Sequence, residues 1–253
     1  MLELSKQQWA LLLGLIALVG LSWAGSLDAV AENYVNDSLL DAGIIYATAR
    51  GINALVSALQ GTELDMWLVT FSIGELLDPI NDVIERFSGV MTVAVTSLVI
   101  QQLLLAIVSD VTFSVALTLF AVAAVIALVV GRIAGYRLLL KTFLVIAFIR
   151  FSLALVVIGN LWVDQVFLPD STSAEHAVMQ DFYTDLEGVD NTIRGEGERS
   201  ELPDQFERLQ DKFEAFVDGT LRLLGSVLLK AVIIPVIFLY AAILLGRAAF
   251  RHS

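Results

Sequence analysis

Two cations stand inside apolar runs: Arg150 within Leu138–Val163 and Lys230 within Leu221–Leu245. At about 1.5 Å per helical residue, Arg150 lies about 18 Å from Leu138 and Lys230 about 15 Å from Thr220. Both positions fall near the middle of a hydrocarbon core about 30 Å thick. An uncompensated charge there costs at least about 2.5–3.5 kcal/mol, so each side chain must meet a partner, water or an internal cavity. Neither run contains a carboxylate, so no counter-ion is evident within the spans. Two cations facing one cavity would attract anions, as Arg or Lys rings do in anion pores, or would hold lipid phosphates. The competing reading is structural: both side chains are long enough to snorkel to the interface.

Gln101 and Gln102, with Thr92, Thr96 and Ser97, make Val90–Val108 polar for a lipid-facing helix. Hydrogen bonds to neighbouring helices explain such residues, with lining of a pore as the alternative. Pro235 removes a backbone donor inside the last run and predicts a helix kink. Catalytic chemistry finds little material. His176 and His252 are the only histidines and cysteine is absent, which leaves no zinc set and no nucleophile–histidine pair in view. The run Asp78-Pro79-Ile80-Asn81-Asp82 is rich in oxygen but lacks the glycine and distal glutamate of a calcium loop. The expectation is a protein that is not an enzyme and has no cofactor or metal.

The elements that must position these residues follow from composition. Hydrophobic residues make up 57% of the chain and mean hydropathy is +0.79, well above a typical soluble domain. Four runs approach the length of a membrane crossing: Val90–Val108, Val111–Val130, Leu138–Val163 and Leu221–Leu245. Trp9–Ala24 is a shorter fifth. With Lys6 before it and Ser22-Trp23-Ala24 after it, that run resembles a secretory signal, but an uncleaved anchor is the expectation because Glu3 cancels Lys6. Of 27 carboxylates, 25 sit in Leu27–Ser88 and Val163–Asp218, and the net charge of −12 argues against nucleic acid.

Between the runs, periodicity predicts a helix over Asp28–Leu59. Alternation predicts an extended segment over Leu64–Ile73, and Asp78-Pro79 has the chemistry of a helix start. In Val163–Asp218, Val178, Phe182, Leu186, Val189 and Ile193 form one apolar stripe, and Phe206, Leu209, Phe213 and Phe216 form another. The break at Arg194–Pro203 makes the two an antiparallel helical hairpin, whose arms cover each other or partly meet a partner.

Basic residues set the expected orientation. Arg132, Arg137 and Lys141 mark one cytoplasmic turn, and Arg247, Arg251 and His252 mark a cytoplasmic tail, which places Val163–Asp218 outside. Only Ser109-Asp110 separates Val90–Val108 from the next run. Three readings satisfy that constraint: a tight hairpin turning outside, a Val90–Val108 helix that does not cross, or a further span at Leu39–Gln60. The second is adopted because Leu27–Ser88 is as acidic as the outer stretch; the third would put Asp41 and Arg50 in lipid.

The resulting expectation is an all-α integral membrane protein, a small bundle of four or five spans with extracytoplasmic helical insertions and one short extended segment. Its divisions are an anchor at 1–24, an acidic and extracytoplasmic module at 25–88, membrane helices at 89–162, an acidic extracytoplasmic hairpin at 163–218, and a last membrane helix with a basic tail at 219–253. In general shape it resembles bacterial inner-membrane proteins with a small helical bundle and an extracytoplasmic insertion, which implies that location. Arg150, Lys230, Gln101 and Gln102 are the candidate cavity or pore residues and Pro235 the candidate kink. The functional expectation is a homo-oligomeric channel-like or transport-related protein with an anion-attracting cavity. Its alternative is a non-conducting scaffold or sensor that binds another envelope protein through its outer modules.

Overall fold

A computed structural model describes residues 6–60, 69–129, 133–167 and 171–251. Every regular element among them is helical. Eight α-helices follow in order: α1 (Lys6–Ala24), α2 (Ser26–Gln60), α3 (Val69–Val108), α4 (Val111–Val129), α5 (Ile133–Phe167), α6 (Ser171–Arg194), α7 (Leu202–Leu228) and α8 (Ile234–Arg251). A 3₁₀ turn at Arg199–Glu201 precedes α7, and a π turn at Leu229–Ile233 links α7 to α8.

Two local expectations are corrected. Residues 64–68 of the expected extended segment lie outside the described residues, but 69–73 form the start of α3. A helix satisfies its own backbone groups, whereas a lone strand needs a partner, and no strand exists among the described residues to supply one. Nor does Asp78-Pro79 open a helix, because α3 runs through Pro79. Burial of Leu77, Ile80, Ile84 and Phe87 on the opposite face holds the helix together past the missing N–H.

The chain divides into two compact units, each assembled from distant segments. One comprises Ser38–Leu98 and Val163–Ile233. Its core is a four-helix arrangement: Ile45, Ile52 and Val56 of α2 and Ile80, Ile84 and Met91 of α3 join Phe182 and Leu186 of α6 and Leu209, Phe216 and Leu223 of α7. Phe182 and Phe216 stack with ring centroids 4.0 Å apart. The expected hairpin of α6 and α7 is therefore present, closed at one end by Gly195 with φ 93° and opened again by a proline in the first turn of α7. Its stripes, however, do not only cover each other; they also seal the apolar faces of α2 and α3. Gly51 permits that approach, since a Cβ there would lie 2.8 Å from the Tyr183 ring.

The other unit comprises Met1–Asp37, Val99–Trp162 and Ile234–Ser253. Within it α1 runs antiparallel to α4: Ser22 bonds Ser114, Trp23 Nε1 donates to Thr118, and the opposite ends meet where Trp9 and Ile126 line one groove. Leu15 packs with Leu117, Ala121 and Phe143. Outward-facing Leu103, Leu119, Val122 and Leu155 are exposed, as expected for helices solvated by lipid.

Between α3 and α4, the Asp110 carboxylate accepts the Thr112 backbone N–H at 2.8 Å and caps α4. Hydrogen bonds from the Thr112 side chain and then its backbone hold the Asp110 carboxyl below its ordinary 3.8. A depressed carboxylate pKa contributes stability above 3.8 that is lost as pH falls through the folded-state value. Acid unfolding followed by circular dichroism should consequently lose its lowest-pH component in Asp110→Asn. An unchanged acid limb would mean that this cap carries no linkage.

Candidate functional site

Arg150 and Lys230 both have carboxylate partners, contrary to the absence read from the spans. Arg150 projects from α5 and is 1% exposed. Its guanidinium makes a fork-to-fork pair with Asp28 near the start of α2, Nη1 donating to Oδ1 at 2.7 Å and Nη2 to Oδ2 at 2.5 Å. Nη2 also reaches the Ser22 carbonyl at 3.5 Å, and the guanidinium carbon lies 5.5 Å from the Phe151 ring centroid. A bidentate Arg–carboxylate pair is the geometry best suited to compensate burial. Gly25, with φ 63°, turns the chain between α1 and α2 so that Ser22 and Asp28 converge on the same guanidinium.

Lys230 sits in the π turn, and its ammonium lies 2.5 Å from Oδ1 of Asp164 near the end of α5. Together with Ser38 and Asp41 of α2, these residues line a pocket of about 80 Å³ whose apolar wall includes Ile45, Leu98 and Val227. π turns introduce an extra residue per turn and re-aim side chains, which is why they recur at functional sites. Here the distortion has a local cause. Pro235 has no N–H to give to the Ala231 carbonyl four residues earlier, and Ser97 of α3 fills that vacancy with a 2.7 Å hydrogen bond from Oγ. Ser97→Ala is expected to cost about 0.5–1.5 kcal/mol by removing that hydrogen bond. In Ser97→Ala with Pro235→Ala much of the loss should return, because the backbone regains a donor. Equal melting temperatures for the two variants would exclude the compensation.

Gln102 Nε2 donates to Asn36 Oδ1 of α2 at 2.7 Å, an interhelical bond of the expected kind. Gln101 is buried at 7% exposure. Thr92 and Thr96 instead bond carbonyls of their own helix four residues earlier. Arg150 and the Lys230 pocket belong to different compact units, and each is neutralised separately. His176 lies on α6, and no group of three metal-capable side chains occurs among the described residues.

The residues that pair with these cations or line the Lys230 pocket, and that sequence reading missed, are Asp28, Asp164, Asp41 and Ser38. Asp164 is one residue past the apolar run ending at Val163, and Asp28 is two residues into α2. The available signal was an acid within a turn of an apolar boundary, level with a cation on another helix.

Apolar helices enclosing compensated charges define the class. Among the described residues, five helices are long and apolar enough to cross a bilayer, at Ser26–Gln60, Leu77–Val108, Val111–Leu128, Tyr136–Val166 and Leu202–Ala241, and they mark a multi-pass membrane protein whose described elements are helical. No family model, curated protein or solved structure matches this chain.

Proposed function

We propose that this is a transport-related membrane protein in which the pocket of Lys230, Asp164, Asp41 and Ser38 handles a small ion, while the Arg150–Asp28 pair is a fixed structural clasp. The observation that carries the reading is a polar, charged pocket walled by four helices, each of which is long and apolar enough to span a membrane. Ionisable groups in such helices are costly and are retained where they serve a path or a site. The anion-attracting cavity expected from two bare cations loses its support, since each cation is met by an aspartate.

Both acidic modules lie on one side of the membrane in this reading. Residues of α2 and α3 share one core with α6 and α7, and a single packed core of acidic helices is not divided by a bilayer. With the basic turn at 132–141 inside, α4 crosses inward from that outer side. Cysteines placed at Glu85 and Glu196, in a chain without native cysteine, are expected to react with an impermeant maleimide from the same side. Labelling from opposite sides would overturn this topology.

Homo-oligomerisation belongs to the same proposal. Glu32, Asn33, Asp37 and Asp41 are exposed along α2, where as part of the outer module they face water or a second copy. Native mass spectrometry of the detergent-solubilised protein should show more than one copy. The transport reading is tested in liposomes: wild type is expected to raise permeability to a small ion, and Lys230→Gln to change its rate or selectivity. Assembled wild type that leaves permeability at the lipid background would favour a non-conducting scaffold in the bacterial inner membrane instead.

A further inference from the structure

We propose, resting on the ion-handling reading of this pocket, that its ligand is a single monovalent cation. The charge census comes first. Asp41 and Asp164 bring two negative charges and Lys230 one positive charge, which leaves one negative charge over in a pocket with an apolar wall that is open at Asp41. Lys230 is committed to Asp164, and Asp41 forms no ion pair among the described residues. One further positive charge completes the balance, and an anion would face a net repulsion.

Size and ligand count narrow the class. A cavity of about 80 Å³ accommodates an ion with a few waters, each needing about 10–15 Å³ of that room. It falls well short of the roughly 300–1,000 Å³ of organic-ligand pockets. Calcium seeks about six to eight oxygens, more than this pocket supplies. The pocket offers the Asp41 carboxylate, the Ser38 hydroxyl and a share of an Asp164 carboxylate already engaged by Lys230. With the ammonium beside it, that set carries one net negative charge, which a monovalent cation balances. Asp41 is also exposed on its outer side, which gives an ion a way in.

Lys230 is then a tethered cation that competes with the free one. Its position in the π turn, held by the Ser97 bond to the next carbonyl, fixes how far the ammonium sits from Asp164. Removing it must strengthen cation binding, and removing Asp41 must weaken it. These opposite signs separate a site from general charge screening.

The test uses the full-length protein in detergent, with thermal unfolding and calorimetric titration in lithium, sodium or potassium chloride against choline chloride at equal ionic strength. At least one alkali cation is expected to raise the melting temperature. Asp41→Asn should abolish that rise, judged against the variant's own melting temperature in choline. Lys230→Gln should tighten apparent binding by roughly tenfold, the effect of deleting one nearby like charge at an intermediate dielectric. Should Lys230→Gln fail to fold, Asp164→Asn provides the second variant and is expected to weaken binding. A wild type indifferent to every alkali cation, an undiminished response in Asp41→Asn, or an equal response to magnesium that survives Asp41→Asn would each overturn the proposal. Binding without flux in liposomes would uphold the cation site and sink the transport reading. Flux untouched by Asp41→Asn would put the path elsewhere and likewise sink the transport reading of this pocket.

Discussion

Arg150→Met is expected to destabilise the protein by about 3–5 kcal/mol, the cost of stranding the buried charge of Asp28 once its partner is gone. Arg150 is 1% exposed and the Asp28 side chain 14%, so neither water nor a snorkelled path can replace the lost fork. The double variant Arg150→Met with Asp28→Leu removes both charges and should recover most of the loss, because a well-packed apolar pair does about as well as a buried ion pair. Thermal unfolding of the single and double variants in the same detergent decides the matter. If both melt together, the pair is not coupled and Arg150 owes its place to something else. Recovery in the double variant with ion flux retained would establish the clasp as structural, separate from the Lys230 pocket.

Phe216→Ala should cost about 3–5 kcal/mol as a buried aromatic truncated in a core that can relax only partly. Phe216 is wholly buried against Phe182 and shares a cluster with Ile52 of α2 and Ile84 of α3. Val236→Ala provides the contrast: that side chain is 60% exposed among apolar helices and should shift stability by no more than about 0.5 kcal/mol in detergent. Urea or thermal unfolding of the two variants gives the comparison, and similar losses in both would mean that the acidic hairpin is not part of a common core. The same packing changes what a deletion can test. Removing 170–212 would bare the faces of α2 and α3, so loss of a partner in such a variant would not isolate a docking surface.

Much of the fold was legible in local pattern. Periodicity over Asp28–Leu59 became α2, the stripe of Phe182, Leu186 and Val189 became the buried face of α6, and the glycine-containing break after Arg194 became the hairpin turn. Local pattern failed over 69–73, where alternation of β-branched and aromatic types gave way to a helix that needs no partner. It failed again at Pro79, where burial on one face outweighed a missing hydrogen bond on the other.

The candidate site was half legible. Arg150 and Lys230 were conspicuous because an isolated charge in an apolar run is a local anomaly, visible to anyone reading along the chain. Their aspartates were not, because Asp28 and Asp164 look like ordinary boundary acids until folding brings them across. Asp28 is separated from Arg150 by 122 residues. By itself the sequence determined the solvent, the helices and the two charges that had to be accounted for, since hydropathy and periodicity act over a few turns. The tertiary structure decided how they are accounted for, because Coulombic pairing acts through space: each cation gained its own acid, and the pocket at Lys230 changed from one that attracts anions to one with a negative charge to spare.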